Sequence, residues 1–239
     1  MQIHTLSHHE VPYVIAGNIL QLAHQHAPEF VQDAISPDSP FLGLAQAEVY
    51  ELLGDALRSI GNPEPVRING ILYQARAGVI IAVDETVGDG TFAGFIQFKP
   101  GLPLGDSASI GYAAVSEKYR GQGVFRQMLD ALRKLHPALV LDCPMALVTM
   151  YERLGFKIEG QQGIHVEMRT APVTGKLWGR DQEYLDRTKA VINAKKAIRE
   201  SLGKDTKGAY EKRDAETRLL KEEVKAFVEA RLSAAAASE

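Results

Sequence analysis

The sequence predicts an α/β protein in which strands gather in the middle of the chain, helices lie before and between them, and a charged helical tail follows. Three observations carry this expectation. β-Branched and aromatic runs are confined to residues 71–169. Apolar residues recur at helical spacing on both sides of the first of those runs. From Pro172 onward no strand-like run remains, and Lys, Glu, Ala and Arg dominate.

Taken in order, Gln2 to Leu6 reads as a first strand. His9 to His26 places Val11, Val14, Ile15, Ile19, Leu20 and Leu22 on one helical face, and Leu44 to Ile60 repeats the pattern with Ala45, Val49, Leu52, Leu53, Ala56 and Ile60. The Pro- and Asp-bearing stretch Ala27 to Pro40 connects them, with room for another helical turn. After Gly61-Asn62-Pro63, the runs Ile71 to Arg76, Gly78 to Asp84 and Thr91 to Phe98 predict strands, the last two joined by a turn at Gly88-Asp89-Gly90. Ser109 to Val115 and Leu139 to Asp142 add strands on either side of a helix, Gly123 to Leu135. A helix from Met145 to Leu154 stops at Gly155, a residue suited to a helix C-terminus, and Phe156 to Ile158 with Ile164 to Arg169 complete the sheet. The tail reads as two helices, Asp181 to Leu202 and Ala209 to Ala236, interrupted at Gly203 and Lys207-Gly208. Their narrow apolar stripe suits docking on the body, a coiled coil or a partner's groove. The division is therefore a domain over residues 1–172 and a helical extension over 173–239.

Charge is unevenly spread along the 239 residues. Residues 1–175 carry 12 Lys and Arg against 18 Asp and Glu, a net −6, whereas residues 176–239 carry 15 against 12, a net +3. An acidic main domain is a poor non-specific partner for nucleic acid, because phosphate neutralisation needs a basic face. It is compatible with a cationic acceptor. No apolar run approaches the ~20 residues that span a bilayer, and Met1 to Thr5 lack the basic and apolar regions of a signal peptide, which predicts a cytoplasmic location, or a virion if the chain is phage-encoded. One cysteine, Cys143, precludes an internal disulfide. His4, His8, His9, His24 and His26 do not have the spacing of a tetrahedral metal site, so no metal is expected.

The most informative stretch runs from Ala114 to Leu129: a short apolar strand enters the glycine-bearing turn Arg120-Gly121-Gln122-Gly123, which opens directly into a helix. Glycines there permit positive φ and remove the Cβ atoms that would hold an anion off the backbone. The N–H groups of the helix's first turn point at any anion that docks. The segment lacks G-x-x-x-x-G-K-[ST], and Arg126 breaks G-x-G-x-x-G, so neither nucleotide motif applies.

Arg120-x-x-Gly123 between strand and helix resembles the acyl-coenzyme A signature of the GNAT superfamily of N-acetyltransferases, and Tyr151-Glu152-Arg153-Leu154-Gly155-Phe156 is similar to that superfamily's second signature. The resemblance implies a mixed, mostly antiparallel sheet flanked by helices. It also implies acetyl-CoA as co-substrate: Ala114 and Val115 would face its pantetheine arm, while Arg120, Gly121, Gln122, Gly123, Val124 and Phe125 would hold its pyrophosphate. Tyr151 would protonate the departing thiolate. Two positions depart from the pattern: Phe125 stands where Gly or Ala is usual, and Pro144 replaces an Asn often found seven residues before the tyrosine.

The function expected is transfer of an acetyl group to an amine acceptor, a small molecule or a protein, by direct attack on the thioester. Asp142, Asp84 and Glu85, near strand ends, are candidates for the base, although solvation is the simpler role for each. Cys143 reads as a packed thiol and not a nucleophile. The alternative is a GNAT-fold interaction protein, such as a phage virion or assembly component. It would use residues 176–239 to join a homo-oligomer or larger assembly.

Overall fold

The computed structural model describes residues 1–86 and 90–237. The strands are β1 (Gln2–Leu6), β2 (Glu64–Ile68), β3 (Ile71–Ala75), β4 (Gly78–Asp84), β5 (Thr91–Pro100), β6 (Ser107–Val115), β7 (Ala138–Cys143), β8 (Lys157–Gln162) and β9 (His165–Arg169). The helices are α1 (Tyr13–Gln25), α2 (Ala27–Phe30), α3 (Leu42–Gly61), α4 (Val124–Leu135), α5 (Val148–Arg153), α6 (Gln182–Asp186), α7 (Lys189–Leu202) and α8 (Thr206–Ala236). Seven strands form a mixed, mostly antiparallel sheet in the order β1-β4-β5-β6-β7-β9-β8, and β2-β3 is a separate hairpin. Of the turn expected at Gly88-Asp89-Gly90, the first two residues lie outside the described residues.

The chain divides into two compact units. The first comprises Met1–His26, Leu52–Leu141 and Thr170–Gly179. Its sheet core is β4 and β5, whose near-continuous apolar runs are buried from Gly78 to Ala82 and from Ala93 to Phe98. On α4, Val124, Met128, Leu129 and Leu132 fall at the spacing of a single helix face, and all four are buried. That face packs on β4 and β5, and the Met128 methyl group stands 3.3 Å from where a Cβ on Gly94 would be. Helix α1 starts at Tyr13 and not at His9, because Pro12 at its N-cap is extended (φ −53°, ψ 138°). Its buried residues are Ile19, Leu22 and Ala23.

The β2-β3 hairpin corrects the sequence reading, which places no strand at residues 64–68. Pro63 and Pro65 disguise the run, yet the turn between the strands is Asn69-Gly70 with φ of 50° and 83°. Two successive positive φ values at Asn-Gly make the tight turn whose twist matches a hairpin.

The second unit comprises Ala27–Glu51, Asp142–Arg169 and Arg180–Glu239. Here β8 pairs antiparallel with β9, and α8 packs against both. Buried Thr217, Val224 and Val228 form the narrow stripe of α8. Polar and aromatic contacts pin its length. Tyr210 stacks edge-on against Phe41 at 4.7 Å, Arg213 pairs with Asp33 at 3.3 Å, Ala34 N–H donates to Thr217 Oγ1 at 2.9 Å, and Arg231 pairs with Glu152. The first tail helix expected from sequence is broken in two. Asp181 caps α6 by accepting from Tyr184 N–H at 3.0 Å, and α7 begins only at Lys189. The break expected at Lys207-Gly208 falls inside α8, where contacts from Tyr210 onward outweigh the ~1 kcal/mol helix cost of one glycine.

Candidate functional site

In the first unit, β6 leads through a 3-10 turn at Glu117–Tyr119 into the 120–123 turn and α4. Gly121 (φ 72°) and Gly123 (φ 75°) are both left-handed, and Gly123 is the N-cap of α4, with no side-chain cap. Any other residue at either position would be strained, and in front of both glycines lies open space. The N–H groups of the helix's first turn have no intrahelical acceptors. The neighbouring side chains fold back onto carbonyls. Arg120 Nε donates to Val115 O at 3.1 Å, its Nη2 lies 2.9 Å from His26 Nε2, and Gln122 Nε2 donates to Lys118 O at 2.8 Å. Val124 is buried and Phe125 half-buried on the first turn of α4.

The strand leading into this turn is partly unpaired on one side. β6 is paired with β5 from Ala108 to Val115, but its parallel pairing with β7 runs only through Ser107, Ala108 and Ser109. From Ile110 onward, past Ala114 and Val115, the described pairing is to β5 alone. The register slips between Gln97 and Phe98, leaving Gly111 as the extra residue of a bulge. A Cβ on Gly111 would lie 2.4 Å from Gln97 Oε1, so only glycine lets the buried Gln97 amide settle there. Neither Gln97 Oε1 nor Nε2 has a hydrogen-bond partner among the described residues. The sequence reading missed Gln97, since its only signal was an amide within an otherwise apolar strand.

Tyr151 lies in the second unit, on α5. The local sequence dictates its setting. Gly155 is left-handed (φ 84°), its N–H donates to Glu152 O at 2.9 Å, and Phe156 N–H reaches back to Tyr151 O at 3.1 Å. This paired pattern closes the helix C-terminus, and its usual apolar contact is made here by the Tyr151 and Phe156 rings, edge-on at 5.5 Å. Tyr-x-x-x-Gly-Phe is thus a helix stop that clamps the tyrosine. The predicted single helix Met145–Leu154 is a 3-10 turn at Met145–Leu147 followed by α5. Pro144 (φ −56°) serves as N-cap of that 3-10 turn, accepting from Leu147 N–H at 2.9 Å. Burial above all, then the nearby Cys143, Asp142 and Glu29, push the Tyr151 hydroxyl well above the ordinary phenol range. The phenol therefore stays protonated and can donate.

Cys143 is buried, and desolvation with the adjacent Asp142 pushes its thiol up to about 12. It is no thiolate at neutral pH. Asp84, in the first unit, accepts from Thr86 Oγ1 at 2.6 Å, Thr86 N–H at 3.1 Å and Tyr119 Oη at 3.1 Å, and these bonds, the Thr86 hydroxyl's first, lower its pKa. It is a turn-forming group. Glu85 bonds Gln2.

Asp142 is different. In the second unit Gln32 meets Asp142 and His165, which lie 110 and 133 residues further along the chain. His165 Nδ1 is 2.7 Å and Gln32 Nε2 3.1 Å from the same oxygen, Asp142 Oδ2. His165 is 3% exposed, the Asp142 side chain 39%. Nothing local in the sequence marks this cluster. Among the described residues, no group of three or more His, Cys, Asp or Glu is placed to hold a metal, and no helix is long and apolar enough to cross a membrane.

A family model described as an acetyltransferase (GNAT) domain matches residues 75–158, a span that contains the 120–123 turn and Tyr151 alike. Over residues 75–158 the chain is similar to a GNAT acetyltransferase domain. Solved structures similar to it include an acyl-CoA N-acyltransferase from Pseudomonas aeruginosa (16% identity, 72% of this chain and 100% of that one, TM-score 0.45). A histone acetyltransferase HPA2 and related acetyltransferase from Corynebacterium glutamicum is 16% identical over 74% of this chain and 100% of that one, with a TM-score of 0.49. The GNAT family N-acetyltransferase YhbS from Escherichia coli, in complex with CoA, is 23% identical over 70% of this chain and 79% of that one, with a TM-score of 0.43. No curated protein sequence matches the chain. The GNAT domain model ends at residue 158, so β9 and the helical tail lie beyond the matched span.

Proposed function

We propose that the protein transfers the acetyl group of acetyl-CoA to an amine acceptor by direct attack. The observation that carries this reading is the turn at 120–123, where two left-handed glycines open onto the N-terminus of the 12-residue helix α4. The residues fit the group. The pyrophosphate of acetyl-CoA needs main-chain donors approached without a Cβ in the way, and Gly121, Gln122, Gly123, Val124 and Phe125 supply that stretch, with the Arg120 cation beside it. The pantetheine arm needs peptide groups to pair with, and the rim of β6 at Ala114 and Val115, unpaired with β7, offers them.

Acetyl-CoA supplies an activated acyl group, whose C–S bond breaks as the C–N bond forms. Tyr151 gives its proton to the departing sulfur, a role for which burial has kept the phenol protonated. Burial and the adjacent Asp142 push the Cys143 thiol up to about 12, which makes it a poor nucleophile and supports direct transfer to the amine. No observation favours the reading as a virion or assembly component.

The test is thiol release from acetyl-CoA by purified protein in the presence of primary amines. Amine-dependent release above the solvent rate supports the proposal. A protein that binds acetyl-CoA but releases thiol with no amine contradicts it.

A further inference from the structure

We infer that Asp142 is the group that receives the acceptor's ammonium and removes its proton, and that Gln32 and His165 position it. The inference rests on the acetyl-transfer reading and deepens it, naming a protonated alkylamine as acceptor.

The orientation of the cluster follows from its hydrogen bonds. Ile164 N–H donates to Gln32 Oε1 at 3.1 Å, which fixes the oxygen end of that amide and turns Nε2 toward Asp142. Gln32 can come this close only because residue 163 is glycine: at φ 61°, a Cβ there would lie 2.1 Å from Gln32 Oε1. With Gln32 donating to Asp142 Oδ2, the 2.7 Å contact of His165 Nδ1 with the same oxygen is a second donation. Gln32 Nε2 and His165 Nδ1, 3.1 Å apart, are two donors sharing one acceptor. Oδ2 is thereby saturated. Oδ1 has no hydrogen-bond partner among the described residues and belongs to a side chain 39% exposed. A carboxylate with one oxygen locked from within and the other presented outward is preorganised for a cationic ligand.

His165 strengthens the assignment. It is 3% exposed, and its Nε2 has no partner among the described residues. Leaving a buried imidazole nitrogen unsatisfied is costly. The ring is held there by a single polar task, donation to Asp142. The titratable groups coupled to Asp142 are His165 on β9, Cys143 beside it on β7 and Tyr151 on α5. Both Asp142 and Glu29 act on Tyr151 electrostatically. The exposed carboxylate oxygen of Asp142 is an acceptor suited to an ammonium and not to a carboxylate-bearing acceptor.

The protons balance. Asp142 takes one from the ammonium, and the freed lone pair forms the C–N bond while the C–S pair leaves on sulfur. Tyr151 protonates that sulfur and is restored by the second proton lost from nitrogen. Asp142 returns its own to solvent, so each turnover yields amide, free thiol and one proton.

The experiment uses the full chain and three probe amines, Nα-acetyl-L-lysine amide, tyramine and spermidine, the fastest being carried forward. Initial rates of thiol release are compared for wild type and Asp142→Asn at pH 7 and pH 9.5, with acetyl-CoA affinity measured separately by calorimetry. An alkylamine with a pKa of about 10.4 is some 300-fold richer in free amine at the higher pH. Asp142→Asn is expected to lower kcat/KM about 100-fold at pH 7 and less than about 10-fold at pH 9.5, with unchanged acetyl-CoA affinity. An equal loss at both pH values, or none, overturns the assignment, as does a wild type that binds acetyl-CoA but acetylates none of the probes. A wild type that fails to bind acetyl-CoA overturns instead the reading on which the inference rests. Because Asp142→Asn could perturb folding, Asp142→Glu is measured beside it; recovery of at least a tenth of wild-type kcat/KM at pH 7 is expected, and recovery no better than Asp142→Asn counts against the assignment.

Discussion

The turn at 120–123 and the cluster around Asp142 hold their polar groups by opposite means. In the turn, backbone conformation is the device. Gly121 and Gly123 are left-handed, and the side chains of Arg120 and Gln122 bend back to bond the carbonyls of Val115 and Lys118. In the cluster, the device is side chains saturating one another: Gln32 and His165 both donate to Asp142 Oδ2, and burial keeps His165 in place. A main-chain site is indifferent to most side chains but intolerant of a Cβ at two positions. A side-chain site tolerates small backbone adjustments but fails when one functional group is lost.

The largest effect expected follows from the first half of that contrast. Replacing both Gly121 and Gly123 by Val puts β-branched residues at positive φ and fills the open space before the helix. Calorimetry should show acetyl-CoA affinity falling about 1,000-fold, or ~4 kcal/mol, whereas Phe125→Ala should change it less than about 3-fold. A large effect of Phe125→Ala would break the claim that the main chain is the binding element.

Next comes Tyr151→Phe, which keeps the ring contact with Phe156 and deletes the hydroxyl that carries the proton. Turnover should fall about 100-fold with unchanged acetyl-CoA affinity, read from kcat and from a separate titration. Smaller again is Gln32→Ala. It strips Asp142 Oδ2 of one donor and leaves Ile164 N–H without its acceptor, so unfolding free energy should drop by ~1–3 kcal/mol, as measured by urea denaturation. A neutral result would mean that the cluster is not held by mutual saturation.

The smallest effect is expected at Cys143. Cys143→Ser should leave kcat/KM within about 2-fold, because the thiol is not a nucleophile. With its pKa raised to about 12, alkylation of the native protein at pH 9 should lag far behind that of the unfolded chain. Rapid native-state alkylation with loss of activity would contradict this.

How much of this could be read from the sequence follows the same contrast. The conformation of the turn was legible because it is local: strand, two glycines and helix are consecutive, and their conformations are what those residues favour. The structural setting of Tyr151 was legible for a related reason, since Tyr151 to Phe156 is a helix stop written in six residues. The boundaries of β4 and β1 were also recovered, as apolar runs between clear breaks. The β2-β3 hairpin was half-hidden because Pro63 and Pro65 mask the strand, although Asn69-Gly70 named its turn. Asp142 was visible only as one carboxylate among several, and Gln32 and His165 not at all. Their meeting depends on where β7, β9 and the segment after α2 come together, and no spacing in the chain encodes that. Gln97 was missed similarly, since its meaning comes from the bulge at Gly111 across the strand pair.

Whether the 120–123 turn holds a pyrophosphate is tested directly by a calorimetric titration of the wild-type protein with acetyl-CoA and with S-acetylpantetheine, which lacks the pyrophosphate and the nucleoside beyond it. A Kd of ~1 μM is expected for acetyl-CoA, about 8 kcal/mol of binding, with at least ~100-fold weaker binding of the truncated thioester. Equal affinity for the two, or no heat from acetyl-CoA at ~1 mM, would contradict pyrophosphate binding at the turn.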